Sequence, residues 1–78
     1  MRNSMVIRGQ RFSLLPRDEI VARLLRMPAK PVKHVYVELQ GNRFPIKDAL
    51  RWVLGVLNFG AADARRYFNA VGLVVGRI

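Results

Sequence analysis

The spacing of apolar residues changes abruptly at Pro45. Before it, Val35, Val37 and Leu39 alternate with polar side chains, which is the two-residue period of a half-buried strand. After it, apolar residues recur at the spacing of a helix with one buried face: Ile46, Ala49, Leu50, Val53, Leu54 and Leu57. A chain that must bury one face of a strand and one face of a helix is predicted to have an α+β fold.

The strand before Pro45 is predicted to belong to a β-hairpin. Gly41-Asn42 is expected to form its two-residue turn. This turn would set Leu39 opposite Phe44 and place both side chains on the core face. Proline carries no backbone N–H, so Pro45 would end the ladder and open the following helix.

A similar arrangement is predicted nearer the N-terminus, after a loose start over residues 1–4. Residues 5–12 indicate a short hairpin that turns at Gly9-Gln10. Pro16 then lies in the first turn of a helix, where its missing N–H costs nothing. The expected buried stripe of this helix consists of Ile20, Val21, Leu24 and Leu25.

The two hairpins share a weak sequence echo. Residues 7–12 and 39–44 have a glycine, an arginine and a phenylalanine at matching positions, and a proline, an aspartate and an amphipathic helix follow each segment. Chance and an internal duplication explain this similarity equally well.

The rest of the chain completes the predicted fold. Residues 28–33 form a stiff, proline-rich internal connector that is too short to separate two domains. A last helix is expected to begin near residues 61–63 and to end at Gly72, before a short strand over residues 73–75 beside the second hairpin. Residues 1–78 are thus predicted to be a single α+β domain, in which small β-hairpins and a short C-terminal strand pack on about three helices.

The charge of the chain is strongly positive. Fourteen Lys and Arg residues stand against five Asp and Glu residues, which gives a net charge of +9 and an isoelectric point near 11.6. Eleven of the fourteen are Arg, whose planar guanidinium binds phosphate as a fork and stacks on bases. Such a balance is typical of proteins that bind nucleic acid, although a solvated surface without such a ligand also explains it.

Three cations are predicted to gather near the start of the second helix. Lys47 and Arg51 are four residues apart on its polar face, and Arg43 lies just before it. Free N–H groups at a helix N-terminus attract phosphate, so these residues are predicted to form a phosphate-binding edge. An ordinary solvated helix face is the alternative.

Further candidate contacts lie on the last helix and on the second hairpin. If the last helix entered a major groove, Arg65 or Arg66 would read guanine and Asn69 would read adenine. The alternative is that these residues only keep the outer face soluble. Tyr36, on the polar face of the hairpin, would either stack on a base or pack across the strands.

Several classes of function find no support in the sequence. The chain has no Cys and a single His, and its five acids are scattered, so no metal site, cofactor or catalytic centre is predicted. It also has no apolar stretch long enough to span a membrane, and no signal peptide is predicted at its N-terminus. The expected location is therefore the cytoplasm, and the protein is not expected to be an enzyme.

Four short motifs lie along the second half of the chain: YVE at residues 36–38, GNRFPIK at 41–47, ARR at 64–66 and GL at 72–73. In this pattern the chain resembles a small domain of actinobacterial proteins that occurs alone or beside HNH-type nucleases. The resemblance implies a DNA-reading or accessory role. Leu73 departs from the pattern, which has phenylalanine there. The cations that match it are Arg43, Lys47, Arg65 and Arg66.

Together these features predict a small basic protein that binds nucleic acid through phosphate contacts, with DNA favoured over RNA. The alternative is a protein-interaction module or a homodimeric adaptor for an acidic partner. Residues 73–75 and the edges of a small sheet would then accept a strand from another chain.

Overall fold

The computed structural model of the protein describes residues 4–55 and 58–78. In chain order, the described residues form β1 (Ser4–Ile7), β2 (Gln10–Ser13), α1 (Arg17–Leu25), β3 (Val35–Leu39), β4 (Asn42–Pro45), α2 (Ile46–Leu54), α3 (Ala61–Ala70) and β5 (Val74–Arg77). β1 and β2 make a two-stranded sheet, and the other strands make a three-stranded sheet in the order β4-β3-β5. The prediction of an α+β fold with hairpins and a C-terminal strand is confirmed.

Both hairpins turn one residue earlier than predicted. The turns are formed by Arg8-Gly9 and Gln40-Gly41. All four residues have positive φ angles, between 50° and 80°. Two consecutive positive φ values give the turn that matches the twist of antiparallel strands, and glycine at the second position adopts this conformation without steric cost.

The register of the second hairpin also differs from the prediction. Val37 lies opposite Phe44, whereas Leu39 was the expected partner, because the turn begins one residue earlier. The partner of Phe44 thus changes by two residues, and a two-residue shift leaves every side chain on its original face. Leu39 and Phe44 are therefore both buried, as expected.

The C-terminal strand pairs where it was predicted to pair. β5 runs antiparallel to β3 and makes β3 the central strand of the sheet, with Gly76 opposite Tyr36. α3 ends at Ala70, and Gly72, the glycine expected to terminate it, follows two residues later with a φ of 84°. The N–H of Leu73 donates a hydrogen bond of 3.0 Å to the carbonyl of Phe68, which satisfies a carbonyl at the end of the helix.

The buried stripe of α1 is narrower than predicted. Ile20 and Leu24 are buried and Val21 is half-buried, but Leu25 is 49% exposed. Leu25 follows Leu24 by one residue, which places it about 100° further round the helix, on the side away from the core. The prediction that Leu25 is buried was wrong.

The predicted apolar stripe of α2 is buried along most of the helix. Its fully buried members are Ile46, Ala49, Leu50 and Val53. The helix ends at Leu54, because Gly55 follows with a left-handed φ of 72°, so α2 is shorter than the apolar stripe over residues 46–57 predicts. Leu57, the last expected member of the stripe, lies outside the described residues.

The segments outside the regular elements follow the prediction in part. Residues 28–33 form neither helix nor strand, in line with a connector. Ser4 was predicted to lie in the loose start but belongs to β1, and residues 1–3 lie outside the described residues. None of the helices in the described ranges combines the length and the apolar character that a bilayer crossing requires.

A cluster of buried side chains joins both sheets and all three helices. Burying a large apolar side chain contributes about 1.5–3 kcal/mol, so this cluster is the main source of stability. Its largest fully buried members are Tyr67, Phe68, Ile7, Ile20, Leu24, Leu50, Val37 and Val53.

Tyr67 of α3 connects the loop between β2 and α1 to the core. Its hydroxyl donates a hydrogen bond of 2.9 Å to the carbonyl of Ser13 and accepts one of 3.1 Å from the N–H of Leu15. The ring packs edge-on against Phe68, with 5.9 Å between centroids. The buried hydroxyl is thus satisfied as a donor and as an acceptor.

Two reciprocal hydrogen bonds join α1 and α2 near their C-terminal ends. The indole N–H of Trp52 donates to the carbonyl of Arg23 at 2.7 Å, and the guanidinium of Arg23 donates to the carbonyl of Val53 at 2.6 Å. A cation is favourable beside the carbonyls at a helix end. Although Trp52 is 45% exposed, its polar edge is therefore engaged within the chain.

Candidate functional site

The three cations of the predicted phosphate-binding edge differ in whether they form an ion pair with a carboxylate. The Arg43 guanidinium lies 3.4 Å from the Glu38 carboxylate, and that of Arg51 lies 2.9 Å from the Asp48 carboxylate. Lys47 is exposed and forms no ion pair with any described carboxylate. Of the three predicted cations, Lys47 keeps the least compensated charge.

The predicted contact residues of α3 lie on its exposed side. Arg65 and Asn69 are exposed, and among the described residues Arg65 has no carboxylate partner. Arg66 is also exposed, but it pairs with Asp63 at 2.8 Å. The backbone N–H of Gly60 and then the Arg66 guanidinium hold the pKa of Asp63 below its usual value, so this carboxylate stays charged beside Arg66.

Tyr36 packs across the strands of its sheet. A Cβ built on Gly76, its partner on β5, would come within 2.5 Å of the Tyr36 ring, so the ring lies directly over the glycine. On the β4 side, the guanidinium carbon of Arg43 lies 4.4 Å from the ring centroid. These contacts favour the cross-strand role over the base-stacking role for Tyr36.

A concave site beside α2 brings together cations that the sequence keeps apart. All three lysines of the chain, Lys30, Lys33 and Lys47, line it together with His34 and Asp48. We call this site the lysine cleft. Its volume is about 400 Å³, and its apolar lining consists of Pro31, Val35, Pro45, Ile46 and Ala61.

The lysine cleft is assembled by three segments of the chain. The connector brings Lys30 and Lys33 to the start of α2, whose first turn carries Lys47. His34 directly precedes β3, and its carbonyl accepts a hydrogen bond of 2.8 Å from the N–H of Ile78. Two strands separate Lys33 from Lys47 in sequence, so no local pattern could have grouped them.

The lysine cleft has an excess of positive charge. Among the described residues, Asp48 is the one carboxylate that lines it, and this carboxylate is shared between Arg51 at 2.9 Å and Lys30 at 4.0 Å. Lys33 and Lys47 form no ion pair in the part of the chain that the structure describes. Because both are exposed, their ammonium groups are available to an anion in solvent.

The exposed face of α3 continues from the lysine cleft. Ala61 lines the cleft, and Arg65 and Asn69 follow it at intervals of four residues. Residues four apart lie on the same side of a helix, so Arg65 and Asn69 extend the same surface along α3. Arg65 and Asn69 were predicted as contact residues, whereas Lys30, Lys33 and His34 were not.

The fold and the site define a small α+β protein with a cationic cleft beside the first turn of its second helix. No group of three or more His, Cys, Asp or Glu side chains in residues 4–55 and 58–78 is arranged to hold a metal ion. The chain matches no family model, no curated protein and no solved structure. The resemblance to the domain found beside HNH-type nucleases therefore stays a prediction.

Proposed function

We propose that the protein binds nucleic acid, DNA in preference to RNA, through phosphate contacts centred on the lysine cleft. The observation that carries this proposal is the convergence of all three lysines on one concave surface, where Asp48 is the one lining acid and is shared with Arg51. In a chain of net charge +9, that convergence offers a polyanion a defined place to bind.

The mechanism is electrostatic and requires no covalent chemistry. Each ammonium group is a compact charge that neutralises one phosphate and releases the counterions condensed on it. If the three lysines each neutralise one phosphate, the logarithm of the association constant should fall against the logarithm of salt concentration with a slope of about −2 to −3. A non-ionic mode of binding would give a slope near zero.

The arginines and Asn69 supply contacts around this centre. Arg65 and Asn69 share the face of α3 that begins at the cleft, so they would contact the nucleotides next to those held by the lysines. Arg43 is engaged with Glu38 in an exposed ion pair, which is weak enough to open towards a phosphate, and Arg51 is engaged with Asp48 in a partly buried pair that would open less readily. Arg66 would contribute in the same way as Arg43, from its pair with Asp63.

Fluorescence anisotropy with a labelled DNA duplex at about 50 and about 200 mM salt tests the proposal. Lys33→Glu and Lys47→Glu should each weaken binding by about tenfold or more, because each reverses a charge at the contact. Arg17→Glu is the matched control, since Arg17 is exposed, forms no ion pair with a described carboxylate and does not line the cleft. The absence of binding at low salt, or equal losses in all three variants, would reject the proposal.

A second candidate function is interaction with another protein chain through β5. This strand lies at the edge of its sheet, and Val74 is 62% exposed. An edge strand with an exposed apolar side chain can accept a strand from a second chain. Light scattering separates the two candidates: a dimer that persists at high salt in a protein without affinity for nucleic acid would favour this one.

A further inference from the structure

The lysine cleft has a shape and a lining that phosphate contacts alone do not explain. It is a concavity of about 400 Å³ with apolar groups from Pro31, Val35, Pro45 and Ala61 between its cations. Clefts of this size with a largely apolar lining and a few polar groups are typical of sites for an organic ligand. The backbone of an intact duplex presents charged phosphates on a convex surface, and these would contact the lysines without filling the space between them.

We infer that the lysine cleft takes one unpaired nucleotide of a single strand. The base or sugar lies against the apolar lining, and the flanking phosphates lie against Lys30, Lys33 and Lys47. This inference rests on the proposed function and specifies the form of its ligand. It accounts for the charge and for the apolar concavity with one kind of molecule.

Side chains on the strands next to the cleft suit a nucleic-acid strand that continues beyond it. Tyr36 lies opposite Pro45, which lines the cleft, and it follows His34, another lining residue, by two positions. The Arg43 side chain above the Tyr36 ring is 55% exposed. A guanidinium plane stacks on bases, so the next unpaired base would lie on Arg43, with Tyr36 supporting the arginine from below.

A paired base cannot reach the apolar lining without leaving its stack. Extruding a base from a duplex costs a few kcal/mol, whereas a base in a single strand is already accessible. The cleft should therefore bind a single strand at least about tenfold more tightly than the duplex of the same sequence, since about 1.4 kcal/mol corresponds to a factor of ten.

The test compares one sequence as a single strand and as a duplex, at the same low salt concentration. Ala61→Phe fills the cleft from the exposed first turn of α3 without changing any charge. Ala62→Phe is the matched control, because Ala62 is the exposed neighbour that does not line the cleft. Ala61→Phe should weaken single-strand binding by about tenfold and duplex binding by much less, because only the unpaired nucleotide fills the space that the phenylalanine takes, and Ala62→Phe should change neither.

A second measurement does not depend on any variant. Methyl resonances of Val35 and Ala61 should shift more in NMR spectra of the native protein on addition of the single strand than on addition of the duplex, because only the single strand contacts the apolar lining. If single strand and duplex bind equally, Ala61→Phe weakens neither, and Lys47→Glu weakens both, the inference is overturned and the proposed function stands. If neither nucleic acid binds at low salt, both are overturned.

Discussion

Two hairpin–helix units with nearly the same local geometry occupy different positions in this protein. The first consists of β1, β2 and α1, and the second of β3, β4 and α2. Each hairpin turns through two residues of positive φ that end in glycine, and each helix follows a proline whose φ is −56° and extends over nine residues. The weak sequence echo therefore corresponds to a real similarity in local structure.

The two units differ in how the hairpin joins its helix, in how many of its residues are buried and in whether it pairs with another strand. Pro45 is both the last residue of β4 and the residue that precedes α2, so the second helix starts directly from its strand. In the first unit, residues 14–16 separate β2 from α1, and β2 has no buried residue. The second hairpin also gains β5 as a third strand, whereas the first pairs with no other described strand.

This comparison shows that local sequence selects the motif and that neighbours in space determine how much the motif stabilises the protein. A two-stranded hairpin is marginal by itself, and a third strand with a buried face makes a sheet stable. The two units also differ in their contribution to the candidate site. The lysine cleft is lined by residues of the connector, the second unit and α3, and no residue of the first unit lines it.

The largest expected effect is on the free energy of unfolding, when the phenylalanine at the matching position of each hairpin, Phe12 or Phe44, is replaced by alanine. Phe44 is 8% exposed and Phe12 is only partly buried. Phe44→Ala should lower the free energy of unfolding by about 3–5 kcal/mol, and Phe12→Ala by about 1–2 kcal/mol, because less apolar contact is lost. Urea unfolding followed by circular dichroism measures both values. Equal losses would mean that the first hairpin is as much a part of the core as the second.

A smaller effect is expected where the first unit is attached to the core. Tyr67→Phe removes the hydroxyl that bonds to Ser13 and Leu15, and leaves the N–H of Leu15 without its partner. We expect a loss of about 1–3 kcal/mol in the free energy of unfolding. An unchanged value would show that these hydrogen bonds do not stabilise the first unit.

The same tyrosine makes stability depend on pH. Burial raises the pKa of Tyr67 above its usual value of 10.0, so the folded protein resists its ionisation. The contribution of the neutral tyrosine is complete below pH 10.0 and is lost as the pH rises through the higher pKa of the folded state. The difference in unfolding free energy between the native protein and Tyr67→Phe should therefore shrink in alkaline solution. A constant difference would contradict this assignment.

The smallest effect concerns the two glycines of the hairpin turns, Gly9 and Gly41, which both have a positive φ. Gly41→Ala should cost about 1 kcal/mol, because alanine is strained in the left-handed conformation. Gly9→Ala imposes the same strain, but the first hairpin can open locally, so its effect on global unfolding should be smaller. Neither substitution meets a neighbouring atom, which makes the pair a matched test of backbone strain. If Gly9→Ala lowered the free energy of unfolding more than Gly41→Ala does, the first hairpin would contribute more to stability than the second, contrary to this comparison.

Much of the fold could be predicted because its signals are local. The change of period at Pro45 located a hairpin and a helix, and Gly72 correctly marked the end of α3. The errors also have local causes. Each turn was placed one residue late because glycine can occupy either turn position, and the left-handed Gly55 was overlooked inside an apolar run.

The candidate site was less accessible to sequence reasoning. Lys47, Arg65 and Asn69 could be selected because helical spacing places them on polar faces. Lys30 and Lys33 lie in a connector without regular structure, whose path is set by the elements that it joins. The ion pair between Arg43 and Glu38 could not be predicted either, because the predicted register of the hairpin differs by two residues from the register in the structure.

Turn geometry, proline placement and apolar period act over a few residues, so the amino-acid sequence was enough to predict most of the helices and strands of this protein. The pairing of β5 with the second hairpin and the meeting of three lysines beside α2 became visible only in the folded chain. Burial and electrostatic attraction depend on distance in space, whereas a sequence pattern reports only distance along the chain.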